Sequence, residues 1–234
     1  APQAHLTLVV VALAAPPPIG DYAVYVSDPW YEEREKDIAK LKKRTEGVKE
    51  AVAKSGISAD VSSAYVEMAY LNSVVGERAI YADLTLLGSE LLSNKYMQEA
   101  VLDGALFHSR TPALLLSKGA KPTLTPKRVL VAWDSSVEAS RALSESLGLL
   151  KTAEEVHVTM VDPDVSESGS GAEPGADIAA YLARHGIKVI VDRLPGSGRA
   201  AAEVLKRHAV DMAADLIVMG AYGHSRLREW VFGG

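Results

Sequence analysis

Between residues 128 and 219 the chain alternates short apolar runs with amphipathic stretches, and this alternation restricts it to few folds. Arg128-Val-Leu-Val-Ala-Trp133 reads as a buried strand that stops at Asp134. Ser135 and Glu138 have the spacing of a capping box, with Ser135 as N-cap. Ala139, Ala142, Leu143, Leu147 and Leu150 then share one face of a helix. A second strand follows at 156–161. Residues 162–175, rich in Ser, Gly, Pro and acids, form a loop. The spacing predicts a helix over 177–185 ended by Gly186, a third strand at 187–191, a helix over 199–212 and a fourth strand at 215–219. Strands joined through helices run parallel, and their near-continuous apolar character implies helices on both faces of the sheet.

The first half repeats this rhythm in part. Strands are expected at 6–13, 22–26, 59–66, 84–87 and 112–116, and helices at 31–55, 71–81 and 94–107. The long helix is charged, with Ile38, Leu41, Val48 and Val52 as its apolar stripe. Residues 82–88 (ADLTLLG) echo residues 214–220 (ADLIVMG). A repeat this long means tandem domains rather than a solenoid. The expected fold class is therefore α/β, with two tandem doubly wound parallel-sheet domains at 1–117 and 128–234. The Pro-containing stretch 118–127 is the linker. Each half falls short of a complete pattern, and missing segments are expected in both. The apolar run 6–15 has the look of a signal sequence, but no Lys or Arg precedes it and it is too short to span a membrane, so a buried strand is the reading adopted.

Composition narrows the function. A net charge of −5 argues against a general nucleic-acid binder. With no cysteine there is no thiolate chemistry and no Cys-based metal site. A Walker A lysine motif is lacking, which argues against a P-loop ATPase. His157, His185 and His208 each stand alone on regular elements, with packing or surface roles as the default, so no catalytic residue and no metal ligand is assigned. Asp162-Pro-Asp164 lacks the ligand spacing of an EF-hand. Gly196-Ser-Gly198-Arg-Ala-Ala201 matches a dinucleotide fingerprint. It follows the third strand rather than the first, however, and no acidic residue ends the next strand, so it reads as a tight βα turn.

The last fifteen residues carry the chemistry. The fourth strand stops at Gly220; Gly223 follows, and then Gly233-Gly234. Glycine lets backbone N–H groups approach an anion without a Cβ in the way and permits positive φ. These positions read either as turn residues or as a phosphate cradle. Asp134 is either a nucleoside contact or a residue that leads into the helix. His224, Arg226 and Arg228 are either phosphate contacts or solvated side chains.

The G-x2-G-x9-G spacing, with Asp134 after the first strand, resembles the nucleotide signature of the universal stress protein family. The resemblance covers about residues 128–234. The first half resembles the degenerate partner domain of tandem members, through Gly-Ala-Leu-Phe at 104–107 and the Thr-Pro-Ala-Leu-Leu-Leu that starts at Thr111. It implies an adenine-nucleotide alpha-hydrolase-like fold and binding of ATP or AMP, with or without Mg. On that resemblance Ala132, Trp133 and Asp134 border the adenosine, and Met160 or Val161 lines the adenine pocket. Met219 and Gly220 flank the ribose side, while Gly223, His224, Gly233 and Gly234 surround the phosphates. One departure is Gly234, where the family pattern has Ser or Thr; the hydroxyl is lost and the backbone N–H retained. In the first half Gly88 is followed by Ser-Glu-Leu-Leu, and no nucleotide is expected there. The implied role is a cytoplasmic stress-response regulator that acts through ligand-dependent association. It would be a homodimer or an intramolecular pseudo-dimer, with an unknown protein partner and no nucleic acid or membrane. At most it would hydrolyse ATP slowly. The alternative is a structural interaction protein that uses the same fold without nucleotide.

Overall fold

The computed structural model describes residues 4–17, 23–92, 94–119, 121–165 and 173–221. The chain divides into two compact units, Ala1–Ser117 and Lys118–Gly234. Both are α/β with parallel strands.

The second unit has four strands, β5 (Arg128–Ala132), β6 (Glu155–Val161), β7 (Val189–Leu194) and β8 (Leu216–Val218). They pair in parallel in the order β7-β6-β5-β8. The strand order reverses at β5, so the carboxyl ends of β5 and β8 open a crevice, which is where open α/β sheets place ligands. Three helices connect the strands: α5 (Val137–Leu150), α6 (Ala176–Arg184) and α7 (Ala201–Asp211). Side chains of a strand alternate between faces, and the sheet shows it. Val129, Val131, Val156 and Val158 pack with Leu143 and Leu150 of α5 and with Ile178 and Leu182 of α6 in one core. The intervening residues of β6, His157, Thr159 and Val161, belong to the opposite face, on the side of α7. Leu143, Leu150 and Leu182 are fully buried, each contributing about 2 kcal/mol of transfer free energy.

Turn chemistry sets where α5 begins. Ser135 sits in the left-handed region at φ 62°. The N-cap is therefore Ser136, whose Oγ accepts from the Ala139 N–H at 3.1 Å. This corrects the Ser135–Glu138 capping box, because the third helical residue is now Ala139 and Glu138 is out of step. The helix expected at 177–185 does end as its glycine indicates: Gly186 takes φ 76° immediately after the His185 C-cap. At the base of the sheet, Asp215 Oδ2 accepts from the Lys127 and Arg128 N–H groups at 2.8 and 2.9 Å. That clamp fixes the start of β5 against β8.

The first unit opens with a βαβ arrangement. β1 (Leu6–Ala14) and β2 (Ala59–Glu67) pair in parallel, with α1 (Ala23–Ser55) as the crossover. The short strand expected at 22–26 is therefore corrected for Ala23–Val26, which lie within α1. Their β-branched and aromatic side chains favour strands only weakly, and context overrides such preferences. Helix α2 (Leu71–Ala79), β3 (Thr85–Leu87), α3 (Ser89–Leu92), α4 (Lys95–Asp103) and β4 (Ala113–Leu115) follow. Past Asp103 the helix widens into a π turn over Gly104–His108. Here the close approach of two helices requires glycine. A Cβ on Gly104 would lie 2.3 Å from the Asn72 carbonyl oxygen, and one on Gly76 would lie 2.5 Å from the Cβ of His108. The strand that echoes β8 behaves differently from β8: β3 pairs with β4, and β1 with β2, in two separate two-stranded sheets.

Candidate functional site

A cleft lies at the carboxyl ends of β5, β6 and β8. Its floor is formed by Ala132, Trp133 and Asp134, where β5 turns toward α5. Thr159 and Val161 of β6 form one wall, and Ala201, Ala202 and Leu205 of α7 close over them. Ser136 and Ala139 bring the first turn of α5 to the edge, beside Met219 and Gly220. The first turn of a helix presents unpaired N–H groups and the positive end of its dipole, which favours an anion.

Six residues singled out from sequence thus meet around one space, Ala132, Trp133, Asp134, Val161, Met219 and Gly220, with the first turn of α5 on its edge. Met160 is not among them. It is 2% exposed and points to the opposite face, where its side chain fills the space beside Gly175 and Val191. Strand alternation leaves the wall to Thr159 and Val161 instead. Gly223, His224, Gly233 and Gly234, with Arg226 and Arg228, lie outside the described residues.

Two of the six have local work as well. The Asp134 Oδ1 accepts from the Ser136 N–H at 3.1 Å and from its Oγ at 2.5 Å, an Asx turn that leads into the N-cap. A Cβ on Gly220 would lie 2.7 Å from the Ala139 nitrogen and 2.8 Å from the Glu138 carbonyl carbon. Glycine is thus required there by packing against α5.

Thr159 was not singled out from sequence. It is 1% exposed, and its Oγ1 has no hydrogen-bond partner among the described residues. An unpaired hydroxyl in a protein interior costs about 1–3 kcal/mol, so such groups are rare without a ligand or water to satisfy them. A Thr in an apolar strand gives no sequence signal of this kind. The fingerprint-like Gly196–Gly198 turn, by contrast, is occupied by the protein itself. Asp162 Oδ1 accepts from the Gly196 N–H at 2.8 Å, and a Cβ on Gly196 would meet the Asp162 carboxylate. The same bond gives the acidic loop residue Asp162 a structural role.

Farther down the α7 face of the sheet, three residues far apart in sequence converge. Asp192 Oδ2 accepts from His157 Nδ1 at 2.8 Å and from His208 Nε2 at 2.9 Å. Burial pushes the Asp192 carboxyl up, but the hydrogen bonds from His208 and then His157 outweigh it, and the group lies below its ordinary value. Sequence reading treated these histidines singly because nothing in their spacing links positions 157, 192 and 208.

A doubly wound parallel α/β unit with a cleft at its switch point defines the class. Residues 125–234 match the model of the universal stress protein family. The second unit is similar to that family over this span. A universal stress protein of Synechocystis sp., Slr1230, is 34% identical over 121 residues, which is 48% of this chain and 41% of that protein. The chain thus spans less than half the length of this relative. The crystal structure of a universal stress protein from Archaeoglobus fulgidus aligns over 92% of this chain and 76% of its own, with a TM-score of 0.55 and 19% identity. That likeness is one of fold. Among the described residues no helix is long and apolar enough to cross a membrane.

Proposed function

We propose that the second unit binds an adenine nucleotide, ATP or AMP, in the cleft at the ends of β5, β6 and β8. The chain would then act as a stress-response regulator whose association with itself or with a partner depends on that ligand. The observation that carries this reading is Thr159, a buried hydroxyl without a partner on the wall of a cleft that also brings together Asp134, Val161, Met219 and Gly220. A base or ribose edge would satisfy the hydroxyl, and the α5 turn favours the negative charge of phosphates. The glycines at 223, 233 and 234 would add backbone donors. Binding would stabilise one state over another by the differential affinity of the ligand for the two. No group in the cleft is assigned as a general base, and turnover is not part of the proposal.

One observation favours a second reading, a structural interaction module without nucleotide. Gly220 and Asp134 each have a sufficient local reason to be what they are. Calorimetric titration of the full chain with ATP, AMP and adenosine separates the two. Saturable binding that Gly223→Val abolishes, with the fold retained by circular dichroism, supports the nucleotide reading. No heat with any of the three supports the structural module.

A further inference from the structure

The three residues His157, Asp192 and His208 sit on three different elements, β6, β7 and α7. Each offers one ligand atom, and these atoms all lie within 4.8 Å of one another. The side chains are partly exposed, at 14%, 20% and 23%, so solvent and ions reach them. We propose that this cluster is a binding site for a divalent transition-metal ion of the zinc type, held by His157 Nδ1, Asp192 Oδ2 and His208 Nε2.

The donor set fits that class of ion. Two imidazoles and one carboxylate suit zinc and its neighbours, whereas magnesium and calcium prefer all-oxygen shells. Three protein ligands leave a further position for water or an external ligand. Little movement is required. The nitrogens already stand 2.8 and 2.9 Å from the shared oxygen, and ligands about 2.1 Å from a tetrahedral zinc lie about 3.4 Å apart. Rotation of the three side chains by a few tenths of an ångström opens the space.

Each imidazole that donates to Asp192 must present a lone pair instead, so its proton moves to the other ring nitrogen. For His157 that nitrogen is Nε2, and Glu155 Oε2 stands 3.9 Å from it. A carboxylate on the far side of a metal-bound histidine holds the ring in the right tautomer. The site would tie the last turn of α7 to β6 and β7. His208 is three residues past Leu205, which lines the cleft, but the metal proposal does not depend on nucleotide binding.

The test is titration of the metal-free, untagged full chain with zinc chloride by calorimetry, and with cobalt chloride by visible absorption. The expected result is one zinc per chain, a cobalt spectrum of low coordination number, and a zinc-dependent rise in melting temperature. His208→Gln keeps an amide donor for Asp192 while removing the ligand nitrogen, and Asp192→Asn removes the anion. Each should weaken zinc binding by more than about tenfold with the fold retained. Two variants guard against the loss of either one to misfolding. If both misfold, the cobalt spectrum of the natural chain decides. No zinc binding at about 100 µM metal, an octahedral aquo-like cobalt spectrum, or affinity changed less than about tenfold in a folded variant would overturn the proposal.

Discussion

Replacing Thr159 by valine tests the account of the cleft most directly. Valine keeps the β-branched shape and the strand preference, and exchanges one hydroxyl for a methyl. If the hydroxyl is buried without a partner, the folded state carries a desolvation penalty of about 1–3 kcal/mol that the variant lacks. The methyl adds a favourable contribution of less than about 1 kcal/mol. The variant without ligand should thus be more stable by about 1–4 kcal/mol, a rise in melting temperature of at least several degrees for a unit of this size. Nucleotide binding should move the other way. Loss of a neutral hydrogen bond, about 1 kcal/mol, weakens the complex roughly fivefold. Differential scanning calorimetry and an adenosine titration on both proteins measure the two effects. A variant less stable than the natural chain by 1 kcal/mol or so would mean that the hydroxyl is already satisfied, and the reasoning would fail. Greater stability with unchanged adenosine affinity would leave the packing account standing and remove Thr159 from the binding site.

Other consequences follow from particular contacts. Gly220→Ala should destabilise the second unit by about 1–3 kcal/mol in urea unfolding, because a Cβ would lie 2.7 Å from the Ala139 nitrogen and 2.8 Å from the Glu138 carbonyl carbon, both backbone of the start of α5. Gly104→Ala should be at least as damaging to the first unit, since the obstacle at 2.3 Å is the Asn72 carbonyl; an unchanged midpoint would show that the α2–α4 approach is looser than described. Asp215 is held below its ordinary value by the N–H groups of Arg128 and then Lys127. Its contribution is therefore present above the unfolded value of about 3.9 and is lost as pH falls through the lower folded value. Asp215→Asn should flatten that part of the acid limb. Because the carboxylate is exposed, it should cost less than about 1 kcal/mol at neutral pH.

Much of the second unit was legible because local signals agreed with the fold. The apolar run at 128–133 became β5, the stripe from Ala139 to Leu150 became the buried face of α5, and Gly186 stopped α6 in the left-handed conformation that glycine tolerates. The errors came where two local readings were nearly equal. Ser135 and Ser136 are both good N-caps, and only the positive φ of Ser135 selects the second. Residues 23–26 carry strand-forming side chains yet join α1, because the chain must cross over between β1 and β2 and the long charged helix that does so extends back through them.

From its amino acids alone this chain determined that it would build parallel α/β units, since the period of apolar residues switches between strand and helix and needs no distant partner to do so. It also determined where glycine ends elements, because that depends on backbone conformation at one position. Only tertiary structure decided which of two adjacent β6 residues faces the cleft, Thr159 rather than Met160, because the choice depends on which face of the sheet α7 covers. It alone brought His157, Asp192 and His208 together. Hydrogen bonds of 2.8 and 2.9 Å between residues 35 and 16 positions apart are set by strand register and helix packing, and no spacing along the chain encodes them.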